Sequence, residues 1–305
     1  MKHIFVVNPA AGSGAAESEL LSRIRSLAKS KELDFEIHRT LSKDETTEYV
    51  RKRACSGEEA RFYAVGGDGT INDVLSGLVG LENAQLAVVP CGSGNDFVRN
   101  FKHKEYFLDL DRQLAAETLD IDVIKFGERY AVNMVNMGVD CDIADRAARI
   151  KSDRLKGSAT YLKAALDILP RRTTYRMRYD IGGEIREEDV LLTAIANGMY
   201  CGGGFKSSPM ASLTDGLIDV EYVRPLKGFT LLRMLAKYHE GKQLQDKEAW
   251  KYIEYIQTDR LTLTPLIPAN VCVDGEIGPY EESSFEVLPG AVRFAVPEGC
   301  ELINS

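Results

Sequence analysis

The sequence lacks the patterns that mark a zinc-stapled, disulfide-rich or membrane-spanning protein. Its six cysteines are scattered over 305 residues, and none forms a CxxC pair or a Cys/His group with zinc-ligand spacing. We therefore expect reduced thiols, as in a cytoplasmic protein. No apolar run approaches the ~20 residues that span a bilayer. The N-terminal MKHIFVVNP is also too short for a signal peptide and has no cleavage site after it.

An excess of positive charge is missing as well. The chain has 38 Lys and Arg against 46 Asp and Glu, which gives a net charge of -8. Nucleic-acid binding needs a basic face, so this balance argues against a nucleic-acid partner. No Walker-type phosphate loop, GxxxxGK[ST], occurs anywhere. A nucleotide-binding function would therefore have to use other loops.

The first third of the chain alternates short apolar runs with amphipathic stretches. This pattern predicts strands and helices that alternate in sequence: strands at 3–7, 34–39, 61–65 and 85–89, and helices at 16–31, 45–54 and 72–78. Such alternation indicates a parallel, doubly wound α/β sheet with right-handed crossovers.

The pattern changes near residue 119. Short strand-like runs then dominate as far as about residue 290, at 175–180, 190–197, 217–223, 260–265 and 270–273. Helical patterns are fewer, at 141–151, 159–168 and 230–240. This predicts a β-sandwich-rich second domain. We assign residues 1–119 to the α/β domain and 120–289 to the β-rich domain, and we expect the tail 290–305 to return to the first.

The most specific local pattern is GGDGTIND, residues 66–73, which follows one predicted strand directly and precedes a predicted helix. In an open α/β sheet this position lies at the carboxyl edge, where ligands bind. Glycines let the backbone approach a ligand closely, and the N–H groups at a helix start suit phosphate oxygens. The Asp68 carboxylate would repel phosphate unless a divalent cation balanced the charge. A plain turn with Asp68 or Thr70 as helix N-cap is the alternative.

Two further loops of small residues follow predicted strands. CGSGNDF, residues 91–97, offers Ser93 and Asn95 as donors to phosphate or ribose, and a turn capped by Asn95 or Asp96 explains it equally well. NPAAGSG, residues 8–14, contains G-x-G but lacks the third small residue of a dinucleotide fingerprint. Because three such loops end strands of one sheet, we expect them to converge on one ligand.

Five motifs together resemble the signatures of the diacylglycerol kinase catalytic-domain family, which includes sphingosine and ceramide kinases and small bacterial lipid kinases. They are GGDGTIND, PCGSGNDF, NMVNMGVDCDIA (133–144), ANGMYCGGGFKSSPMASLTDGLIDV (196–220) and VDGE (273–276). They occur in the family's order and extend over nearly the whole chain. The resemblance implies two domains: an α/β nucleotide domain related to phosphofructokinase and NAD kinase, and a β-sandwich domain.

The resemblance also implies ATP- and Mg²⁺-dependent phosphorylation of a lipid hydroxyl, that of diacylglycerol or a similar lipid. The residues that would bind ATP are Asn8, Pro9, Ala10, Ala11, Gly12, Thr40, Gly66, Gly67, Asp68, Gly69, Thr70, Ile71, Asn72, Ser93 and Asn95. Asp68 would act on the magnesium that bridges the phosphates, directly or through water. Asp215, with carbonyl oxygens near Ser212 and Leu217, would hold a magnesium in the second domain.

The resemblance implies that the general base comes from Asp274 and Glu276, alone or as a relayed pair. A positioned base typically contributes ~10²–10⁴ in rate to hydroxyl chemistry. On spacing alone, Asp-Gly between two strands is a common hairpin turn, and the two interpretations are compatible. Asp73 and Ser93 stand where the family usually has Glu and Thr, which leaves the nucleotide chemistry intact.

The segment 146–178 is basic within an acidic protein, with ten Lys and Arg against two Asp. Each basic residue near an anionic lipid surface gains ~1 kcal/mol. The segment is therefore predicted to face a membrane and to allow transient peripheral association. A solvated helix face explains the same charge equally well. The sequence leaves the oligomeric state open, a homodimer included.

Other functions stay open at this point. A relative of NAD kinase or phosphofructokinase would phosphorylate a soluble acceptor, and a non-catalytic module would only bind lipid. A soluble acceptor needs no apolar cleft for acyl chains, and a non-catalytic module would not need Asp68, Asp215, Asp274 and Glu276 together. The preferred hypothesis is a cytoplasmic lipid kinase that meets its lipid substrate at the membrane surface.

Overall fold

The chain divides into two compact units. The first unit holds Met1–Asp122 and Gly290–Ile303, and the second holds Val123–Pro289 with Asn304. None of the described helices combines the length and apolar composition needed to cross a bilayer. The computed structural model describes residues 1–9, 14–150, 158–168, 174–226 and 228–304.

The first unit is built on a parallel sheet with helical crossovers. Its main elements in chain order are β1 (Lys2–Val7), α1 (Gly14–Ser30), β2 (Phe35–Arg39), α2 (Lys43–Ala54), β3 (Ala60–Gly66), α3 (Asp68–Leu78), β4 (Ala84–Pro90), β5 (Phe101–Lys102) and α4 (Leu110–Leu114). The strands pair in parallel in the order β2–β1–β3–β4. This order places β1 and β3 in the interior of the sheet.

These interior strands are apolar because helices cover the sheet. All seven residues of β3 are buried, as are five of the six in β1, which is typical of parallel strands in α/β domains. Phe5, Tyr63 and Val65 form one core cluster with Leu21 and Ile24 of α1. The carboxyl ends of β1, β3 and β4 therefore lie at one edge of a rigid sheet, and the small-residue loops begin there.

The second unit contains two antiparallel sheets. Its elements in chain order are the end of β6 (Glu117–Phe126), a strand that begins in the first unit, then β7 (Arg129–Ala131), β8 (Met134–Gly138), α5 (Val139–Arg149), α6 (Ser158–Ile168), β9 (Tyr175–Ile181), β10 (Glu184–Val190), β11 (Leu192–Ala196), β12 (Ile218–Val223), α7 (Gly228–Glu240), β13 (Ile253–Thr258), β14 (Arg260–Pro265), β15 (Ala269–Val273), β16 (Glu276–Tyr280) and the first part of β17 (Ser283–Val296). One sheet has the order β13–β12–β11–β8–β15–β16, and the other includes β10–β9–β14–β17.

Side chains from both sheets meet in one core, which makes the second unit a sandwich. Met137 on β8 and Val220 on β12 belong to the same buried cluster as Met177 on β9, Leu263 on β14 and Phe285 on β17. Helices α5, α6 and α7 lie outside this core and bury their own apolar residues in two smaller clusters.

Strand β17 serves both units. Its residues Ser283 to Glu286 pair with β14 in the second unit, and Arg293 and Phe294 pair in parallel with β4 in the first. After it, β18 (Glu301–Leu302) pairs with β5. The chain thus passes into the second unit near residue 122 and returns to the first near residue 290, and Asn304 near the C-terminus again belongs to the second unit.

Two predictions of secondary structure were wrong. The run 190–197 is not one strand: β10 ends at Val190 and β11 begins at Leu192. Strand β10 itself, EIREEDV, was not predicted, because it is an edge strand rich in charge, as natural edge strands often are. Helix α3 begins at Asp68 rather than at residue 72.

Candidate functional site

The first glycine-rich loop is a tight connection between β3 and α3. The N-cap of α3 is Gly67, so neither Asp68 nor Thr70 caps the helix, and that alternative was wrong. A Cβ at Gly66 would lie 2.2 Å from the Thr70 hydroxyl oxygen, so only glycine fits there. The backbone N–H groups of the loop therefore stand at the start of a helix, where an anion is stabilised.

The described residues of the three loops lie close together, and their convergence on one ligand stays a prediction. A Cβ at Gly92 would lie 2.4 Å from the Gly67 Cα atom, which means that two backbones touch where both residues lack side chains. The Cys91 N–H also donates to the Gly66 carbonyl at 2.8 Å. The Asn8 side-chain amide donates to the Thr70 hydroxyl at 3.0 Å. This bond joins the chain just after β1 to the start of α3.

Asp68 fastens two of these loops together. Its carboxylate accepts the Phe97 N–H at 3.0 Å and is also hydrogen bonded by the N–H groups of Asp96 and Asn95. Burial raises the pKa of Asp68, and these backbone donors oppose that rise. The carboxylate at the start of α3 therefore holds the 91–97 loop in place; its action on magnesium stays a prediction.

The remaining nucleotide candidates lie in the loops after the strands, in helix α3 or outside the described residues. The Asn95 side-chain amide donates to the Gly92 carbonyl at 2.9 Å and accepts the Gly92 N–H at 3.0 Å. Asn95 itself has a positive φ of 52°, so its backbone and side chain both shape the loop. Ser93 is exposed, and Thr40 lies just after β2 with its N–H on the Val7 carbonyl. Pro9 lies just after β1; Gly69, Ile71 and Asn72 lie in the first turns of α3; Ala10, Ala11 and Gly12 lie outside the described residues.

Asp274 lies in a two-residue hairpin between β15 and β16. Asp274 and Gly275 have φ values of 44° and 97°, which is the backbone of the type I′ turn that Asp-Gly favours. The Asp274 carboxylate also accepts three backbone N–H groups, from Val132 at 2.9 Å, Asn133 at 3.1 Å and Met134 at 2.8 Å. The hairpin therefore holds the carboxylate in one orientation.

Two asparagines that sequence reasoning did not single out support this arrangement. Asn197 donates its side-chain amide to the Val132 carbonyl at 2.8 Å, and Asn133 donates to the Tyr200 carbonyl. They bring the segments 133–144 and 196–220 against the hairpin that carries Asp274. The motif resemblance contained this signal, since both asparagines lie inside quoted motifs. Glu276 is the first residue of β16 and is half-buried.

The predicted metal-binding segment forms a tight turn. The Asp215 carboxylate is exposed and accepts the Leu217 N–H at 3.0 Å, and Ser212 bonds the Asn304 carbonyl through its hydroxyl. In the part of the chain that the structure describes, no three His, Cys, Asp or Glu side chains cluster around a metal position. One carboxylate with backbone oxygens nevertheless suits Mg²⁺, which keeps several of its waters.

The basic residues of 146–178 are divided between two groups. Lys151, Arg154, Lys156, Arg171 and Arg172 lie outside the described residues. The other five are all paired with acids: Arg146 and Lys163 with Asp167, Arg149 with Asp145, and Arg176 and Arg178 with Glu187. The membrane-facing role of this segment stays a prediction.

The second unit also contains an apolar cavity next to α5, α6 and α7. Its volume is about 60 Å³, well below the usual range of small-molecule pockets. Most of its lining is aliphatic or aromatic: Val139, Asp140, Ile143, Ala165, Leu191, Leu192, Cys201, Phe205, Ser207, Val223, Leu226, Leu231, Met234, Leu235 and Tyr238. The structure therefore offers apolar space inside the β-rich unit.

One acidic side chain, Asp140, lines this cavity, and a second, Glu221, is hydrogen bonded to the lining residue Tyr238. Burial raises the pKa of the Asp140 carboxyl from 3.8 to about 7. Burial also raises the pKa of Glu221, which accepts a hydrogen bond from the Tyr238 hydroxyl. At neutral pH both carboxyls are thus easier to protonate than exposed ones, which keeps the cavity close to apolar.

We expect Asp140 to make stability depend on pH. Its folded pKa is raised, so the folded state binds the proton more tightly, and the free energy of unfolding falls as pH rises from about 4 to about 7. Asp140→Asn should lessen the drop between pH 5 and 8 by about 2 kcal/mol. Urea unfolding at pH 5 and at pH 8 measures this change in the free energy of unfolding. Asp145→Asn, a half-exposed carboxylate of the same helix, is the control, and equal behaviour of the two variants would contradict the assignment.

Residues 2–126 match the family model of the diacylglycerol kinase catalytic domain. Residues 133–296 match that of the YegS C-terminal NAD kinase β-sandwich-like domain. The chain therefore belongs to the diacylglycerol kinase family of lipid kinases, and it is a kinase. The predicted fold class, an α/β domain with a β-sandwich domain, is confirmed.

Curated and solved relatives agree with this assignment. A YegS-like protein of Chromohalobacter salexigens, named a probable lipid kinase, is 30% identical over 84% of this chain and 82% of its own. A diacylglycerol kinase of Bacillus subtilis is 25% identical over 96% of this chain and 95% of its own. The crystal structure of a diacylglycerol kinase from Bacillus anthracis shares the fold, with a TM-score of 0.69, 20% identity and 97% coverage of both chains.

Proposed function

We propose that this protein transfers the γ-phosphoryl group of ATP to the hydroxyl of an acyl-chain lipid such as diacylglycerol, with Mg²⁺ as the cofactor. The observation that carries the lipid part is the apolar lining of the cavity in the second unit, which would have to widen around an acyl chain. A kinase of a soluble acceptor has no use for such a cavity. The names of its curated relatives support the same substrate class.

The converging loops of the first unit support a role in binding ATP. Gly67 and Gly92 bring two backbones into contact, and Asn8 and Asp68 tie all three loops together. Phosphoryl transfer depends mainly on positioning and charge neutralisation, which rigid loops of backbone N–H groups can supply. Asp68 would act on the magnesium that bridges the phosphates, directly or through water, and Asp215 would hold a magnesium in the second unit; a bound magnesium neutralises phosphate charge.

Asp274 and Glu276 would supply the general base for the lipid hydroxyl. The three backbone N–H bonds fix the Asp274 carboxylate and stabilise its anionic form, the form that accepts a proton. For this role, a carboxylate oxygen of the base must come within hydrogen-bond reach of the lipid hydroxyl that is phosphorylated. This hypothesis gives the hairpin a catalytic role in addition to its structural one.

A panel of acceptors tests the proposed function. Labelled ATP and Mg²⁺ are incubated with diacylglycerol, phosphatidylglycerol and a sphingoid base in micelles, and in parallel with NAD and a sugar phosphate. We expect label in a lipid, and omission of Mg²⁺ should abolish it. Transfer to NAD or the sugar phosphate alone would establish the soluble-acceptor alternative and refute the lipid assignment.

We expect Ala165→Phe to alter the dependence of activity on acyl-chain length. Ala165 is fully buried and lines the cavity, so a larger side chain should exclude a long acyl chain. The kcat/KM for dipalmitoylglycerol should fall about tenfold or more relative to dihexanoylglycerol. Ala159→Phe, on the exposed side of the same helix, should leave this ratio unchanged. A parallel loss on both lipids would instead indicate general damage and would contradict the acyl-chain site.

A further inference from the structure

A long loop connects β11 to β12 in the second unit. Its residues, 197–217, contain no helix or strand apart from one isolated bridge. Loops longer than about 12–15 residues are uncommon in compact domains and are usually functional. Much of this loop is nevertheless buried, since Asn197, Met199 and Ser208 have almost no exposed surface. Its backbone polar groups therefore need partners outside the regular sheets.

Amide side chains from distant segments supply some of these partners. The Asn133 side chain donates to the Tyr200 carbonyl, and the Gln243 side chain donates to the Ser207 carbonyl at 2.7 Å. Both bonds hold the first half of the 197–217 loop. An amide is suited to this task because its NH₂ group has two donors for backbone carbonyls that no neighbouring strand meets.

Asn304 binds the second half of the loop. Its side-chain amide donates to the carbonyls of Pro209 and Ala211, both at 3.0 Å, and its nitrogen lies 3.3 Å from the Met199 sulfur. The Asn304 backbone carbonyl accepts the Ser212 hydroxyl at 3.3 Å. Asn304 is 92 to 105 residues further along the sequence than these partners. One residue near the end of the chain thus fixes the loop at four points.

The chemistry of these contacts requires an amide at position 304. Two of the contacts are with backbone carbonyls, which only accept hydrogen bonds, so the side chain must donate. An aspartate has the same shape as asparagine but has no N–H, and its charge repels carbonyl oxygens. An alanine leaves the buried Ala211 without this donor for its carbonyl. The role therefore belongs to the NH₂ group of Asn304.

The segment that Asn304 holds leads directly into the predicted magnesium-binding turn, residues 212–217. The Ser212 hydroxyl, which donates to Asn304, also accepts the Thr214 N–H at 3.3 Å. Ser212 is buried, whereas Asp215 at the tip of the turn is exposed. The turn thus has a fixed base and an accessible carboxylate.

Magnesium is sensitive to the placement of such a base. It demands a near-ideal octahedral arrangement of oxygen ligands, in contrast to the more tolerant calcium. The oxygen donors available in this turn are the Asp215 carboxylate and backbone carbonyls near Ser212 and Leu217. Backbone carbonyls move only with the chain that carries them, so a contact that fixes the chain also fixes the donors. Partners that orient the ligands of a metal often decide its affinity.

We propose that Asn304 is a positioning residue for the 212–217 turn and that its amide sets the affinity of this turn for Mg²⁺. The inference rests on the proposed function for the identity of the metal, and the contacts of Asn304 stand apart from that assignment. It gives a residue outside all the quoted motifs a part in the site. Asn304 acts through the loop and does not itself bind the metal.

Titration calorimetry with Mg²⁺ alone, without nucleotide or lipid, tests this proposal. Binding that Asp215→Asn abolishes belongs to the turn. Asn304→Asp should raise the Kd of that binding about 10- to 100-fold, the usual effect of losing a partner that orients a metal ligand. Added negative charge by itself would lower this Kd, because it attracts the cation. The direction of the change therefore separates loss of the amide contacts from a simple charge effect.

Asn270→Asp is the matched control. Asn270 is an exposed residue of β15, so this variant has the same charge change without the contacts to the loop. Its Kd for Mg²⁺ should equal that of the unchanged protein. Asn304→Ala should weaken Mg²⁺ binding like Asn304→Asp, because it removes the same donors and adds no charge.

Hydrogen exchange without metal provides the second measurement. In Asn304→Asp the N–H groups of Ala211 and Thr214 should exchange about tenfold faster or more, because local opening of the loop becomes easier. Those of β12 should exchange as in the unchanged protein. This pattern would show a local loosening of the loop in a sandwich that stays folded.

The outcomes separate this inference from the proposed function. A lowered Tm of both Asn304 variants with unchanged Kd for Mg²⁺ would reduce Asn304 to a structural contact and overturn the inference. Absence of Mg²⁺ binding, or binding that survives Asp215→Asn, would overturn it together with the magnesium assignment of the turn. Failure of the unchanged protein to phosphorylate any lipid, with Mg²⁺ binding as expected, would count against the proposed function alone.

Discussion

Asp274→Asn should reduce kcat by about 100-fold or more, with much less effect on the KM for ATP. The substitution preserves the size of the side chain and tolerates the positive φ of 44°, because asparagine is one of the few residues that adopt this conformation readily. It removes the negative charge that would accept the hydroxyl proton. It also places an amide N–H₂ opposite at least one of the three backbone donors of residues 132–134.

That second effect predicts a measurable loss of stability. Two donors that face each other leave one buried N–H unsatisfied, which costs about 1–3 kcal/mol. Steady-state kinetics and thermal unfolding of the same preparation separate the two effects. Glu276→Gln, on the same hairpin, is the matched variant and should lose less of kcat. A larger loss in Glu276→Gln, with Asp274→Asn near full activity, would move the base to Glu276.

Gly92→Ala should weaken ATP binding by about 100-fold, or about 2.8 kcal/mol. The new methyl group would lie 2.4 Å from the Gly67 Cα atom and 3.0 Å from the Asn95 side-chain oxygen. Since the first contact is with backbone, no side-chain rotation relieves it, and the two loops must separate. The N–H groups that would bind the phosphates then lose their common orientation, although the rest of the sheet stays intact.

Gly278→Ala is the control for this experiment. A Cβ at Gly278 meets nothing within 4 Å, and the residue has no positive φ. Titration with a fluorescent ATP analogue gives the affinity, and the increase in Tm caused by ATP gives an independent value. ATP affinity in Gly92→Ala equal to that of the control would show that the contact between the loops has no part in nucleotide binding.

Local sequence predicted the first unit well because its strands and loops are defined by their own residues. The predicted strand 61–65 is mostly apolar and is followed by Gly66, and the observed strand extends one residue further at each end, over Ala60–Gly66. The strands of the second unit were harder to predict from local sequence. Strand β17 contains Pro289 and Gly290 in its middle, a combination that argues against a strand when only neighbours are considered.

The candidate site residues show the same contrast between features that neighbouring residues define and contacts between distant parts of the sequence. The Asp-Gly turn at residue 274 follows from two neighbouring residues, because this pair favours a two-residue hairpin. The hydrogen bonds from residues 132–134 to Asp274 join positions about 140 residues apart, so no local pattern could show them. The bond between Asp68 and Phe97 likewise spans 29 residues. Sequence thus indicated the candidate residues, and the structure shows what they touch.

The shared strand β17 means that the catalytic-domain segment, residues 2–126, is not a self-sufficient folding unit. In a fragment of that length, β4 would keep β3 on one side and lose Arg293 and Phe294 on the other. The freed row of backbone groups would then offer a template for pairing between chains, and Phe294 would leave a gap where it now meets Phe97 and Phe101. Expressed alone, such a fragment should aggregate, and adding residues 290–303 as a separate peptide should improve its solubility.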